Sequence, residues 1–232
     1  MQSTAQLTKF WDSSSRNIPA NKDHSRYAET AIKDLAPHST ICDLGGGTGA
    51  DAIYFARAGH TVTLYDISSF ALKQAVKKAE KMGLSIATKQ ADFGDSKFKL
   101  PVETFDLIYS RLTLHYFKPE QMYNILTTIY EALRTNGKAM ITLKSSEDKK
   151  EIQFLKSTAK EIEPGVFEDK GQIKMRLNLD QLRDVMKKTG LPDGAYSIRE
   201  ITEDLGGRVD AVKSGNMTII LNEIIITKVS KL

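Results

Sequence analysis

Short runs of apolar and β-branched residues recur along this chain, separated by longer stretches in which apolar positions repeat at helical spacing. The runs predict strands over residues 39–44, 61–65, 86–91, 105–110 and 137–143, and the stretches between them predict helices over 51–58, 68–82 and 119–133. Local punctuation agrees with this division. Ser68 stands at an N-cap, Gly83 follows the end of the same helix, and Pro119 opens the first turn of the next. Strands alternating with helices of this length make βαβ units, hence a doubly wound α/β protein with a parallel sheet covered on both faces. The end of the chain breaks the alternation. A helix over 181–188 is followed by strands over 196–201 and 217–229 with a glycine-containing loop and no helix between them, which predicts an antiparallel pair at one edge. Residues 147–163 also read as helix-like.

Composition narrows the classes. The 232 residues are 41% hydrophobic and 27% charged, an ordinary globular balance. No stretch approaches the roughly 18 consecutive apolar residues of a membrane span, and the N-terminal segment lacks the basic head and apolar run of a signal peptide. One cysteine, Cys42, excludes an internal disulfide and a cysteine-built zinc site and suits a reducing, cytoplasmic setting. The excess of 33 basic over 29 acidic side chains is spread along the chain, unlike the clustered face of a nucleic-acid binder. Four histidines, at 24, 38, 60 and 115, include no pair at helical ligand spacing, so no metal is expected.

The segment Ile41-Cys42-Asp43-Leu44-Gly45-Gly46-Gly47-Thr48-Gly49-Ala50 carries the most chemistry. A glycine loop between a strand and a helix turns tightly and lets a ligand approach with no Cβ in the way. Asp66 ends the following strand, where a carboxylate can meet the two hydroxyls of a ribose. Read as Gly45-x-Gly47-x-x-Ala50, the loop also satisfies a dinucleotide fingerprint, so the glycines alone leave two ligand classes open. Asp43 favours a ligand bearing an ammonium or sulfonium, because a carboxylate would repel a pyrophosphate. Ala91-Asp92-Phe93 pairs an acceptor for an exocyclic amine with an aromatic ring, a suitable adenine site.

Taken in order, ICDLGGGTG, Asp66, Ala91-Asp92-Phe93, LPVETFDLIYS and LRTNGKAMITLK resemble the motif series of class I S-adenosylmethionine-dependent methyltransferases of the small-molecule type. Phe10-Trp11-Asp12 resembles the N-terminal element that covers the cofactor in such proteins. The resemblance runs from about residue 10 to 144 and implies a Rossmann-like seven-stranded sheet, mostly parallel, with the antiparallel C-terminal pair. It also implies S-adenosyl-L-methionine as cofactor. Asp43, Gly45, Gly46 and Gly47 would then flank its methionine part, Asp66 and Ile67 the ribose, and Asp92 and Phe93 the adenine. Ser110 and Arg111 would line the methyl-donor side. The implied layout is one methyltransferase domain over 1–232, with covering helices in 1–36 and the cofactor core in 37–144. An acceptor lid follows in 145–179, and a helix with antiparallel strands in 180–232.

The acceptor is read by exclusion. The exit of the fourth strand, Ser110 to Phe117, lacks the Asn/Asp-Pro-Pro-aromatic tetrad of base-amine methylases. Cys42 lies beneath the loop, out of place for cytosine C5 chemistry, and no paired-glutamate loop of arginine methyltransferases is present. A small-molecule acceptor is therefore expected. His115 is the candidate base, or a packed histidine bonded to backbone. Arg111 is either an anion receptor or one half of an ion pair. Tyr116, Phe154, Phe167 and Arg176 are pocket candidates, and Arg16 and Arg26 could reach the cofactor carboxylate from the N-terminal segment. The lysines of residues 73–81 read as a solvated helix face, and Trp11 as a packing anchor. RNA modification, nicotinamide-dependent oxidoreduction and non-catalytic cofactor binding are the alternatives.

Overall fold

The computed structural model describes residues 3–19, 23–204 and 218–230. Its first half is α1 (Thr4–Arg16), α2 (Arg26–Ile32), β1 (Thr40–Leu44), α3 (Ala50–Arg57), β2 (Thr61–Asp66), α4 (Ser69–Lys81) and β3 (Ala87–Gln90). β4 (Phe105–Arg111) runs into a 3₁₀ turn (Leu114–Tyr116), followed by α5 (Pro119–Ala132) and β5 (Leu133–Lys144). Then come α6 (Lys149–Thr158), β6 (Lys160–Glu163), β7 (Val166–Asp169), β8 (Gln172–Met175), α7 (Leu179–Lys188), β9 (Tyr196–Asp204) and β10 (Thr218–Thr227).

Seven strands form one sheet in the order β3-β2-β1-β4-β5-β10-β9. The first five are parallel, while β10 runs antiparallel to both β5 and β9. The switch point, where the order reverses beside β1, is where open α/β sheets bind ligands at the carboxyl ends of their strands. Parallel strands covered on both faces are apolar throughout. Ile41, Leu44, Leu64, Leu107 and Ile108 are accordingly buried, in two cores on opposite faces of the sheet. The antiparallel edge follows the expected pattern, with Ile224 in register with Ile141 and Ile198. The loop joining β9 to β10 lies outside the described residues.

One expectation needs correction. Residues 147–163 do not form a single helix: α6 ends at Thr158, and Lys160–Glu163 is the first strand of a three-stranded antiparallel meander, β6-β7-β8. Turn chemistry overrides the helical spacing here. Gly165 has φ 79°, and Lys170 and Gly171 have φ 52° and 81°, both left-handed as a two-residue hairpin turn requires. The hairpins recruit the preceding polar residues into pairing.

Ile224→Ala should cost about 2–5 kcal/mol, the range for truncating a fully buried isoleucine. Val102→Ala, at an exposed site, should change stability by less than about 0.5 kcal/mol. Urea unfolding of both variants checks this; equal midpoints would contradict the placement of the β10 core.

Candidate functional site

At the carboxyl end of β1 the chain turns through Gly45, Gly47 and Gly49, with φ of 82°, 57° and 77°. Their missing side chains serve different ends. A Cβ on Gly45 would collide with the side chain of Thr113, one on Gly46 with the Asp43 carboxylate, and one on Gly49 with the Ala75 Cβ. A Cβ on Gly47 would meet nothing within 4 Å, because it would stand in the cleft. Two of these glycines therefore let protein pack on protein, Gly46 accommodates a carboxylate, and Gly47 leaves room for a ligand.

Asp66 ties this loop to the next. The Gly47 N–H donates to its Oδ2 at 2.9 Å and the Ser68 N–H to its Oδ1 at 2.8 Å. Beside it lies Asp43, only 1% exposed, whose Oδ2 has no hydrogen-bond partner among the described residues. Burial, and then the charges of Asp51 and Asp66, push the Asp43 carboxyl well above the usual carboxylate range. Burial also raises Asp66, against the opposing pull of its backbone donors. Asp51, in the first turn of α3, receives the Ser25 N–H at 2.6 Å, the Ser25 hydroxyl at 3.0 Å and the Tyr109 hydroxyl at 2.8 Å. The third acidic position along the strand ends, Asp92, takes the Gly94 N–H at 2.9 Å and the Thr4 hydroxyl at 2.8 Å.

Thr4 belongs to α1, which lies over this row. Asp12 caps the start of α4, receiving the Ser68 hydroxyl at 2.7 Å and the Phe70 N–H at 3.0 Å. Trp11 meets Tyr116 edge-on at 4.7 Å. Arg16 stacks over Phe70 at 4.3 Å; neither it nor Arg26 lines the cleft.

A cleft of about 1160 Å³ runs beneath α1 and is lined by Asp43, Gly45, Gly46, Gly47, Asp66, Ile67, Asp92, Phe93, Arg111, His115, Tyr116 and Phe154. Three expected positions lie outside its wall. The Ser110 hydroxyl is buried and donates to the Leu44 carbonyl at 2.9 Å, tying β4 to β1. Phe167 is buried on β7, the central strand of the meander, and Arg176 forms an ion pair with Glu151 at 2.6 Å. Arg111 does line the cleft, but its Nη2 and Nε donate side by side to the two Glu203 carboxylate oxygens, at 2.6 and 3.2 Å. Leu112, next to it, holds φ 57°, a strained value for a branched residue at the cleft wall. The motif reading missed Thr4, Asp51, Thr113 and Glu151, and gave no role of their own to Asp12 and Lys144 within the motifs it quoted. Their signals were single polar residues on helices and strand ends, with no pattern to set them apart.

The donors and acceptors suit an adenosyl ligand carrying a positive charge. The orphaned Asp43 oxygen and its acidic neighbours favour a cation, Asp66 can accept from ribose hydroxyls, and Asp92 beside Phe93 can accept from an aromatic amine. Fold and cleft together are those of an α/β protein with a cleft at the switch point of its sheet, suited to a nucleotide cofactor.

Residues 41–137 match the family model described as a methyltransferase domain. A carboxy-S-adenosyl-L-methionine synthase of Campylobacter concisus is 26% identical over 220 residues, covering 91% of this chain and 89% of its own. An uncharacterised methyltransferase of Synechocystis is 26% identical over 115 residues, 48% of this chain and 51% of that relative, so this match spans about half the relative's length. The fold is shared with a SAM-dependent methyltransferase of Methanosarcina mazei, with a TM-score of 0.68 at 18% identity over 90% of this chain and all of that one. The methyltransferase-domain match covers under half of the chain, and together with these likenesses it supports a class I S-adenosylmethionine-dependent methyltransferase with S-adenosyl-L-methionine as cofactor. Among the described residues no helix is long and apolar enough to cross a membrane.

Two predictions follow from this geometry. Asp66→Ala should weaken S-adenosylhomocysteine binding by about 1–3 kcal/mol through the loss of a buried acceptor, and Gly47→Val should abolish it. Calorimetric titration decides; unchanged affinity in both variants would remove the loop from the site. Asp43→Asn should raise the melting temperature of the free protein. A carboxyl raised by burial stabilises while protonated and loses that contribution as pH climbs through its folded value, so the gain should be full at pH 8 and shrink toward acid. A lower melting temperature at pH 8 would contradict the isolation of this charge.

Proposed function

We propose that this protein transfers the methyl group of S-adenosyl-L-methionine to a small-molecule acceptor. The observation that carries this reading is the acid-floored cleft at the switch point, with Gly47 open to it and an unpartnered Asp43 oxygen beneath. When bound, the cofactor supplies an electrophilic methyl group on a sulfonium. Asp43 holds its amino-acid part, with the backbone of Gly45, Gly46 and Gly47. Asp66 receives the ribose hydroxyls and Ile67 packs beside them. Asp92 accepts from the adenine amine, and Phe93 packs against the ring. Arg111, held by Glu203, forms the wall beyond Leu112.

The chain's part in the reaction is alignment in a dry site. Methyl transfer needs the attacking atom within about 3–3.5 Å of the methyl carbon and in line with the bond that breaks. α1 supplies the roof that excludes water, fastened by Thr4 on Asp92 and by Asp12 on the start of α4. Tyr116 and Phe154 border the acceptor end, which the meander closes from outside. We further read residues 1–232 as one methyltransferase domain, working in the cytoplasm, where a lone buried Cys42 stays reduced.

The relative matched along almost the whole chain, named as a carboxy-S-adenosyl-L-methionine synthase, favours a second reading in which the adenosyl cofactor itself is modified. Mass spectrometry of the adenosyl products separates the two. Incubation with S-adenosyl-L-methionine and a pool of small metabolites should yield S-adenosylhomocysteine and one methylated acceptor. Recovery of a cofactor enlarged by a carboxyl group, with no S-adenosylhomocysteine, would replace the first reading with the second.

A further inference from the structure

The far end of the cleft differs in charge from its floor. His115, in the 3₁₀ turn after β4, is 1% exposed and lines the cleft, and neither ring nitrogen has a hydrogen-bond partner among the described residues. Leaving an imidazole buried and unbonded is costly, so this ring is equipped for a partner that arrives. The charges that act on it are three cations, one from β5 and two from the end of β8. Lys144 ends β5, Lys174 stands on β8 and Arg176 follows β8. Burial and these three charges hold the His115 imidazole well below its ordinary range, with no carboxylate offsetting them.

Glu168 on β7 lines the same end from the exposed rim, while the acids in contact with these cations are already engaged. Glu151 takes Lys144 at 2.9 Å and Arg176 at 2.6 Å, one carboxylate serving two cations. Asp169 takes Lys174 at 2.6 Å, and Asp148 caps α6 by accepting the Glu151 N–H at 3.1 Å. Burial and the Arg176 charge lower Lys144 despite its contact with Glu151, so the ammonium gains from any further negative charge. Its side chain is 28% exposed and faces the cleft. Tyr116, Phe154 and Ile173 line the same end and suit an apolar body.

We propose that the acceptor is a small organic oxyanion, a carboxylate or an ionised hydroxyl on an apolar frame, whose oxygen takes a hydrogen bond from the His115 N–H and faces the Lys144 ammonium. This rests on the methyl-transfer reading and names its substrate class. His115 then serves as a hydrogen-bond donor to an acceptor that arrives ionised. The oxyanion forms its bond to the methyl carbon as the sulfonium–methyl bond breaks, the electron pair of that bond stays on the sulfur of departing S-adenosylhomocysteine, and no proton has to be removed. A cationic amine would meet repulsion from Lys144, Lys174 and Arg176.

The test uses three probes with one ring and different charge: benzoate, benzyl alcohol and benzylamine. They are titrated into ¹⁵N-histidine-labelled protein, free and saturated with S-adenosylhomocysteine, with the His115 signals assigned through His115→Gln. Benzoate should bind at least about tenfold more tightly than benzylamine and shift the His115 ring nitrogens, and Lys144→Met should remove that preference. Equal or tighter binding of benzylamine, benzoate binding that leaves the His115 ring unmoved, or binding of none of the three would overturn the proposal. The relative affinities of the three probes are read on the wild-type chain, so that comparison holds even if a variant misfolds. Failure of S-adenosylhomocysteine to bind would instead overturn the methyl-transfer reading, and the titrations of the free protein would still judge this one.

Discussion

Everything at the cofactor end of this cleft hangs on one carboxylate gripping two loops. Asp66 receives N–H groups from Gly47, after β1, and from Ser68, after β2. Bonds from backbone donors to an ionised acceptor are stronger than neutral ones, and these fix the two strand ends that flank the switch point. The same Ser68 carries Asp12 on its hydroxyl, so the grip extends to the covering helix α1. Roof, loop and floor thus share one short path of hydrogen bonds. A ligand that accepts the arrangement meets a shape already formed.

The cleft is electrically polar along its length. Asp43, Asp51 and Asp66 crowd one end, and burial leaves Asp43 short of partners. Lys144, Lys174 and Arg176 surround the other, with Glu151 divided between two of them. Like charges gathered in this way favour a ligand of opposite sign at each end, more strongly at the acidic end, since the three cations already have acidic partners. Placing unfavourable charge where ligands bind is a recurring relation between stability and function.

Much of this was legible from residues alone. Short β-branched runs between helical stretches foretold the doubly wound sheet, and the missing helix before the last strand foretold the antiparallel β10. The glycine loop, Asp66, Asp92 and Phe93 fell on one cleft because strand ends of a parallel sheet converge by topology. What escaped was long-range or local in a different way. The meander hid because residues 147–163 carry helical spacing, while the deciding information sat in the turns at Gly165 and Lys170-Gly171. The partners of Arg111 and Arg176, Glu203 and Glu151, lie 92 and 25 residues away, beyond any spacing rule. Ser110 was drawn toward the cleft by its place in the motif, yet strand alternation turns its hydroxyl onto Leu44.

The central claim is that the acid-floored cleft receives a cationic adenosyl ligand and excludes a dinucleotide. Calorimetric titration of one preparation with S-adenosyl-L-methionine, S-adenosylhomocysteine and NADH tests it most directly. The account predicts saturable binding of both adenosyl ligands and no heat of binding from NADH. Tight NADH binding with no response to either adenosyl ligand would contradict the reading of Asp43 and Asp92, and the function built on it.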